Sequence, residues 1–210
     1  MKDLIPEATV RRLSHYLRCI EMMEKCCYGE NLQSKDLARM CSISDSVVRR
    51  DLSYFGTFGI KGVGYDLKRL KDSIKRILGL TEKKKVVVVG VGNIGRALIG
   101  YLSRVDGFEV VAAFDNDPQK IGKKIGKIKI EDAVNITPIT ANLNAEIAVV
   151  AVPSDEAQKV VNRLVKGRVK GILNFALVPL KVPDDVTVRY IELLTELEVL
   201  TYNIKKRRKS

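Results

Sequence analysis

The chain first offers chemistry at a glycine pattern and at a carboxylate downstream of it. Gly90-Val91-Gly92-Asn93-Ile94-Gly95-Arg96 follows directly on the valine run at residues 86–89 and opens a helical pattern. Between a strand and a helix, the first glycine of such a loop allows a tight turn. The second lets the backbone approach a pyrophosphate, and the third lets helix and strand pack closely. Phosphates would then rest on the free N–H groups and positive dipole end of the helix. Asp115 stands 20 residues after Gly95, at the end of the next apolar run. An acid there accepts from the adenosine ribose hydroxyls and repels a 2′-phosphate, which favours NAD(H) over NADP(H). FAD or coenzyme A on the same fold is the competing ligand. The plain structural alternative is a tight turn followed by a loop acid.

These residues need a scaffold, and the second half of the chain supplies its pattern. Short β-branched or apolar runs at 86–89, 109–114, 147–152 and 172–175 are separated by helical patterns at 94–104 and 155–166. Such alternation predicts a doubly wound parallel sheet of the Rossmann type, with helices on both faces. A last helical pattern at 191–204 carries Leu193, Leu194, Leu197, Leu200 and Ile204. That apolar face is wide for a terminal helix, so it is expected to bury against something beyond its own domain.

The first half has a different texture. Val10, Leu13, Leu17 and Ile20 fall at helical spacing behind Pro6, predicting a helix over 7–25. Residues 28–31 break it. Ser34 is the expected N-cap of a short second helix to Met40, and Ser44 that of a third to about Phe55. In the third helix Val48, Leu52 and Phe55 form the buried stripe, while Ser46, Arg49, Arg50 and Ser53 share the opposite face. Residues 56–65 are rich in glycine and suit a β-hairpin with Lys61 at its tip. A fourth helix follows with Leu67, Leu70, Ile74, Ile77 and Leu78 on one side, and Gly79 ends it. Helix, helix, turn, helix and glycine-rich hairpin is the order of a winged helix-turn-helix. The third helix would enter the major groove, and Lys61 would reach the adjacent minor groove or its phosphates. The DNA-contacting set expected is Ser46, Arg49, Arg50, Ser53, Lys61 and Tyr65, and the alternative for the arginine pair is a solvated helix face.

Residues 1–80 are therefore read as a winged-helix DNA-binding domain, 81–190 as a Rossmann NAD(H)-binding domain, and 191–210 as a terminal helix with a basic tail. Charge agrees with a polyanionic partner: the net charge is +12, of which residues 1–80 carry +5 and the last six residues another +5. No run of 18 apolar residues occurs, and the charged N-terminus lacks a signal-peptide pattern, so the expected location is the cytoplasm. Four cysteines, Cys19, Cys26, Cys27 and Cys41, lie early in the chain without a C-x-x-C spacing, and His15 is the only histidine. Reduced, mostly buried thiols and no metal site are expected, with an oxidant-sensing role for Cys26 and Cys27 as the alternative. A dehydrogenase needs a proton donor or acceptor at the hydride site and a substrate domain. The sequence makes no provision for either, so no catalytic residues are assigned. An NAD-dependent oxidoreductase with an accessory DNA-binding module is the runner-up class, and a constitutive DNA binder with a vestigial nucleotide fold a third.

Several runs resemble a known family. Residues 49–56 (RRDLSYFG), 62–65 (GVGY), 89–95 (VGVGNIG), 114–118 (FDNDP) and 171–176 (GILNFA) are similar to those of the bacterial redox-sensing repressor family called Rex. The likeness runs from about Ile5 to Ile204. It implies a homodimer in which the C-terminal helix swaps onto the partner, an inverted-repeat operator, release from DNA by NADH, and binding permitted by NAD+. It implies that residues Gly90 to Arg96 hold the pyrophosphate and Asp115 the adenosine ribose. Val152, Pro153, Asn174, Phe175 and Ala176 would line the nicotinamide end. Arg18 and Tyr101 match two members of a polar switch, and Glu192 stands where the family usually has Asp. The basic tail after Ile204 lies outside the shared pattern and is expected to be disordered.

Overall fold

The computed structural model describes residues 5–26, 29–56, 58–60 and 63–207, and the chain divides into two compact units, Met1–Glu82 and Lys83–Ser210. The first unit contains α1 (Glu7–Lys25), β1 (Asn31–Leu32), α2 (Ser34–Met40), α3 (Asp45–Ser53), β2 (Gly59–Ile60), β3 (Gly64–Asp66) and α4 (Leu67–Ile77). Leu13, Leu17 and Ile20 of α1 meet Leu37, Val48, Leu52, Leu70 and Ile74 in one core. The wing is a three-stranded sheet in the order β1-β3-β2, antiparallel throughout. Strand β1 was not expected, because two residues carry no periodicity. Lys61, at the expected hairpin tip, lies outside the described residues, as does Cys27.

Two caps differ from expectation. Gln33, not Ser34, is the N-cap of α2, and its backbone N–H donates to the Asp36 carboxylate at 3.3 Å. Ser44 does stand at the N-cap of α3, but its hydroxyl pairs with Ser46 Oγ at 3.0 Å instead of capping a backbone N–H. Asp45 in the first turn complements the helix dipole there. The third helix ends at Ser53, two residues before the expected Phe55.

The second unit is a seven-stranded sheet in the order β10-β9-β8-β4-β5-β7-β6. Its strands are β4 (Lys84–Val89), β5 (Phe108–Asp115), β6 (Lys124–Ile125), β7 (Ile128–Asp132), β8 (Ile147–Val150), β9 (Gly171–Asn174) and β10 (Thr187–Tyr190). All pairings are parallel except the β6–β7 hairpin at one edge. Helices α5 (Asn93–Leu102), α6 (Ile136–Leu143) and α7 (Ser154–Lys166) connect them. Two cores, one on each face, explain why the valines of β4 form an unbroken apolar run: Val87 and Val89 face one cluster, Val86 and Val88 the other. The chain leaves β4 toward β5 on one side, while β8 pairs on the other. That reversal of strand order creates a crevice at the carboxyl ends of β4 and β8, the usual ligand position in such sheets.

The last helix, α8 (Leu193–Arg207), begins two residues later than expected and runs further. Lys205, Lys206 and Arg207 form its last turn, where cations favour the negative dipole end, so this part of the tail is helical and not disordered. None of the residues of α8 is buried, and Leu197 is 58% exposed.

Candidate dinucleotide site and nucleic-acid interface

The three glycines of the β4–α5 loop are held by different constraints. Gly90 has φ +91, and a Cβ on it would lie 2.3 Å from the carbonyl oxygen of Ala151. A Cβ on Gly95 would lie 1.9 Å from the Gly90 carbonyl oxygen, so the start of α5 packs directly on the loop. Gly92 is the N-cap of α5 with an ordinary extended backbone, and a Cβ there would meet nothing within 4 Å. Two glycines are therefore required by the fold, and the middle one keeps a surface clear. Val91 is fully buried, whereas Asn93, Ile94 and Arg96 on the first turn of α5 are exposed.

A cleft of about 290 Å³ lies over this surface, lined by Gly90, Gly92, Asp115, Val152, Pro153 and Lys120 among others. Asp115 ends β5 and is 6% exposed. Its carboxylate accepts from the N–H of Val91 at 2.7 Å and of Asp117 at 3.0 Å, and Lys120 Nζ stands 3.2 Å away. Burial by itself would raise the Asp115 carboxyl, but these donors hold it below its ordinary value, so it is ionised at neutral pH. Lys120 also pairs with Asp117 at 3.6 Å. Two carboxylates against one ammonium leave this corner net negative, which disfavours a 2′-phosphate.

The other predicted ligand residues sit at the ends of β8 and β9. Val152 is half-buried and Pro153 exposed, both on the cleft. Asn174 is buried, and its amide is committed to its own loop: Nδ2 donates to Ala176 O at 2.8 Å, and Oδ1 accepts from Ala176 N–H at 3.0 Å. Asn174 thus shapes the turn through half-buried Phe175 and buried Ala176. Of the expected switch residues, Tyr101 on α5 is 61% exposed. Glu192 precedes α8 and accepts from Thr195 Oγ1 at 2.9 Å. Arg18, on α1 of the first unit, is exposed and 3.4 Å from Glu21.

In the first unit, Ser46, Arg49, Arg50 and Ser53 are all exposed on α3, as their spacing implied. Arg49 pairs with Asp45 at 2.6 Å, one turn earlier. An exposed pair of this kind is worth only about 0.3–0.5 kcal/mol, so a phosphate or base could claim Arg49 at little cost. Arg50 has no carboxylate partner among the described residues. A groove of about 460 Å³ between α3 and the wing is lined by Arg49, Ser53, Ile60 and half-buried Tyr65. Burial raises the Tyr65 hydroxyl pKa, with Arg49 opposing, so the ring stays neutral.

The residue that sequence reasoning missed is Asp51. It is 1% exposed on the inner side of α3. It accepts from Thr9 Oγ1 at 3.0 Å, from Tyr16 Oη at 2.7 Å, and from Arg12 through Nε at 2.5 Å and through a second guanidinium nitrogen at 2.7 Å. Thr9, Arg12 and Tyr16 lie at i, i+3 and i+7, one face of α1, so the network fastens α3 to the first helix. The signal was present: Asp51 falls i+3 from Val48, inside an apolar stripe. Burial would raise the Asp51 carboxyl, but Arg12, Tyr16 and Thr9 together hold it below the usual range. Its stabilising contribution is complete above the ordinary carboxyl pKa and is lost as pH falls through the lower folded value. Denaturant titrations from about pH 6 to about pH 3 are expected to show wild-type stability falling more steeply than that of Asp51→Asn.

Sequence spacing offered no metal pattern, yet the fold gathers one. His15, Cys19 and Cys41 place their ligating atoms within 4.8 Å of one another. Cys19 and Cys41 are buried and in contact at 2.9 Å, and burial followed by the neighbouring Cys19 pushes the Cys41 thiol up to about 12. Cys26 is exposed.

The comparisons with known proteins separate the two units in the same order. The family described as "CoA binding domain" matches residues 81–178, and "Putative DNA-binding protein N-terminus" matches residues 4–53. A redox-sensing transcriptional repressor Rex of Carboxydothermus hydrogenoformans is 46% identical over 206 residues, covering 96% of this chain and 97% of the relative. The chain belongs to the Rex family. A Rex protein of Desulforamulus reducens is 41% identical and covers both chains completely. Among solved structures, the Rex-family repressor RSP in complex with β-NAD+ and operator DNA superposes with a TM-score of 0.90 at 32% identity, over 98% of this chain and 94% of that one. RSP in complex with β-NADH gives 0.86 at 30% identity, over 98% and 96%. Rex membership accounts for the winged helix-turn-helix and the Rossmann sheet in one chain. No helix among the described residues is long and apolar enough to cross a membrane.

Proposed function

We propose that this chain is a redox-sensing transcriptional repressor, a homodimer that binds an inverted-repeat operator and lets go when NADH fills the β4–α5 cleft. The observation that carries this reading is the likeness over nearly the whole chain to a Rex repressor solved with both β-NAD+ and operator DNA. The cleft supports it with a cleared glycine surface and an ionised acid at the ribose position. In this reading residues 1–80 are the DNA-binding domain and 81–190 the NAD(H) domain. The pyrophosphate lies on residues 90–96, and the nicotinamide lies toward Val152, Pro153 and residues 174–176. The exposed leucines of α8 bury against a second copy, by exchange of that helix between protomers. Cytoplasmic location and a sensor without turnover follow from the same role.

Helix α1 is the element through which the ligand acts. It carries Arg18, which with Tyr101 and Glu192 makes up the expected polar switch, and it also holds α3 through Asp51. A ligand that favours one placement of α1 therefore sets the placement of the DNA-reading helix. Coupling of this kind is typically about 1–3 kcal/mol. Fluorescence anisotropy of a labelled inverted-repeat operator at fixed salt tests the reading. NADH is expected to release the DNA and NAD+ to leave it bound, and binding indifferent to both would overturn it. Steady NADH consumption with a small carbonyl would instead return the chain to the oxidoreductases.

Two substitutions divide the roles. Arg50→Ala is expected to weaken operator binding by about 1–3 kcal/mol without changing NADH affinity. Glu192→Ala is expected to leave the fold intact and alter the NADH response, and a variant with wild-type response would remove Glu192 from the switch.

A further inference from the structure

We propose that His15, Cys19 and Cys41 form a binding site for a thiophilic divalent cation, zinc(II), in the DNA-binding unit. His15 and Cys19 lie at i and i+4 on α1, so the helix itself sets them on one face. Cys41 is the C-cap of α2, where the chain turns toward α3. Their ligating atoms lie within 4.8 Å of one another, and the two sulfurs are 2.9 Å apart. Around a tetrahedral zinc, with Zn–S near ~2.3 Å and Zn–N near ~2.1 Å, donor atoms stand roughly 3.3–3.8 Å apart. Small side-chain rotations that spread the sulfurs by less than ~1 Å and draw the imidazole in by up to ~1.5 Å would make that set.

The donor chemistry selects the cation. Two thiols and one imidazole are a soft set suited to zinc, and hard cations such as magnesium or calcium prefer oxygen. The burial pattern fits as well. Both sulfurs are buried, whereas His15 is exposed. The imidazole is thus the solvent-facing ligand, beside which an ion enters and a water completes the fourth position. A Cys19–Cys41 disulfide would use only two of the three groups and leave the convergence of His15 without a role. It would also require a two-electron oxidant to reach thiols that are shielded from solvent.

The site joins α1 to the end of α2, and α2 packs against α3. Zinc would therefore brace the unit that presents Arg49 and Arg50, independently of the dinucleotide cleft. Binding releases thiol protons, and the affinity gained is stability gained.

The test uses the full chain, reduced and freed of metal by a chelator, then titrated with cobalt(II) and back-titrated with zinc(II). A near-ultraviolet thiolate-to-cobalt absorption with strong four-coordinate visible bands is expected, together with displacement by zinc and a raised melting temperature. Cys41→Ser and Cys19→Ser should lose the charge-transfer absorption, His15→Gln should keep it with shifted visible bands, and Cys26→Ser should behave as wild type. If a cysteine variant fails to fold, X-ray absorption at the zinc edge of the loaded wild type reads the donors directly, with two sulfurs and an imidazole expected. No charge-transfer band in the reduced wild type overturns the proposal. A zinc edge lacking sulfur overturns it, as does a band that survives Cys41→Ser and vanishes in Cys26→Ser. A reduced chain that ignores cobalt but forms the Cys19–Cys41 disulfide with hydrogen peroxide would show an oxidisable thiol pair instead.

Discussion

Gly92→Val is expected to leave the second unit folded while removing NADH control of operator binding. The backbone at Gly92 is extended, and an added Cβ meets nothing within 4 Å, so the valine has room in the protein. Its cost is that of a poor N-cap residue, about 1 kcal/mol. The open space it fills is the approach to the first N–H groups of α5, where the pyrophosphate is proposed to lie. Loss of NADH affinity by ~100-fold or more, about 2.7 kcal/mol, is expected. Gly95→Val is the control with the opposite signature. Its Cβ would fall 1.9 Å from a backbone oxygen, so the loop or α5 must move, at ~4 kcal/mol or more. Calorimetric NADH titration and thermal unfolding on both variants check the pair: Gly92→Val should lose binding and keep its transition, and Gly95→Val should lose the transition itself. An unaltered NADH affinity in folded Gly92→Val would place the ligand elsewhere.

Asp51→Ala carries the second large effect, and it falls on the first unit alone. Removing one partner of a buried ion pair costs about 3–5 kcal/mol. Here the Arg12 side chain is 34% exposed and regains water, which places the loss near the lower end, at ~3 kcal/mol. The hydroxyls of Thr9 and Tyr16 lose their acceptor in the buried core. Burial and hydrogen bonding to Asp51 already hold the Tyr16 phenol well above its ordinary pKa, so it stays a neutral donor that needs that acceptor. Operator affinity should fall with stability, because α3 loses its tie to α1, while NADH affinity should be unchanged. Denaturant unfolding with a probe in the first unit measures the loss, and a change below ~1 kcal/mol would mean that the network is incidental.

The contrast between the two sites shows what the sequence could convey. The glycine loop was legible because its constraints are local: strand, glycines and helix are contiguous, and Asp115 follows at a fixed distance set by one βαβ step. The sheet with a core on each face was legible for the same reason, from the unbroken valines of β4. The short elements were not. Strands β1, β6 and β10 and helix α6 hold too few residues, or too little alternation, to stand out from loops. The Asp51 network and the His15–Cys19–Cys41 cluster depend on α1 meeting α3 and the end of α2, and no spacing within 210 residues encodes such a meeting. A charged residue inside an apolar stripe was the one visible trace of the former. For the latter, only the helical spacing of His15 and Cys19 could have hinted at it.

On the proposed function, NADH in the β4–α5 cleft and operator on the first unit are energetically coupled, and coupling between two binding equilibria is reciprocal. The most direct measurement is therefore the dissociation constant of NADH for the free protein and for the protein saturated with operator duplex, at one salt concentration. Operator is expected to weaken NADH binding by the same factor by which NADH weakens operator binding, roughly 5–150-fold. Equal NADH affinity in the two states would contradict it, however tightly each ligand binds alone.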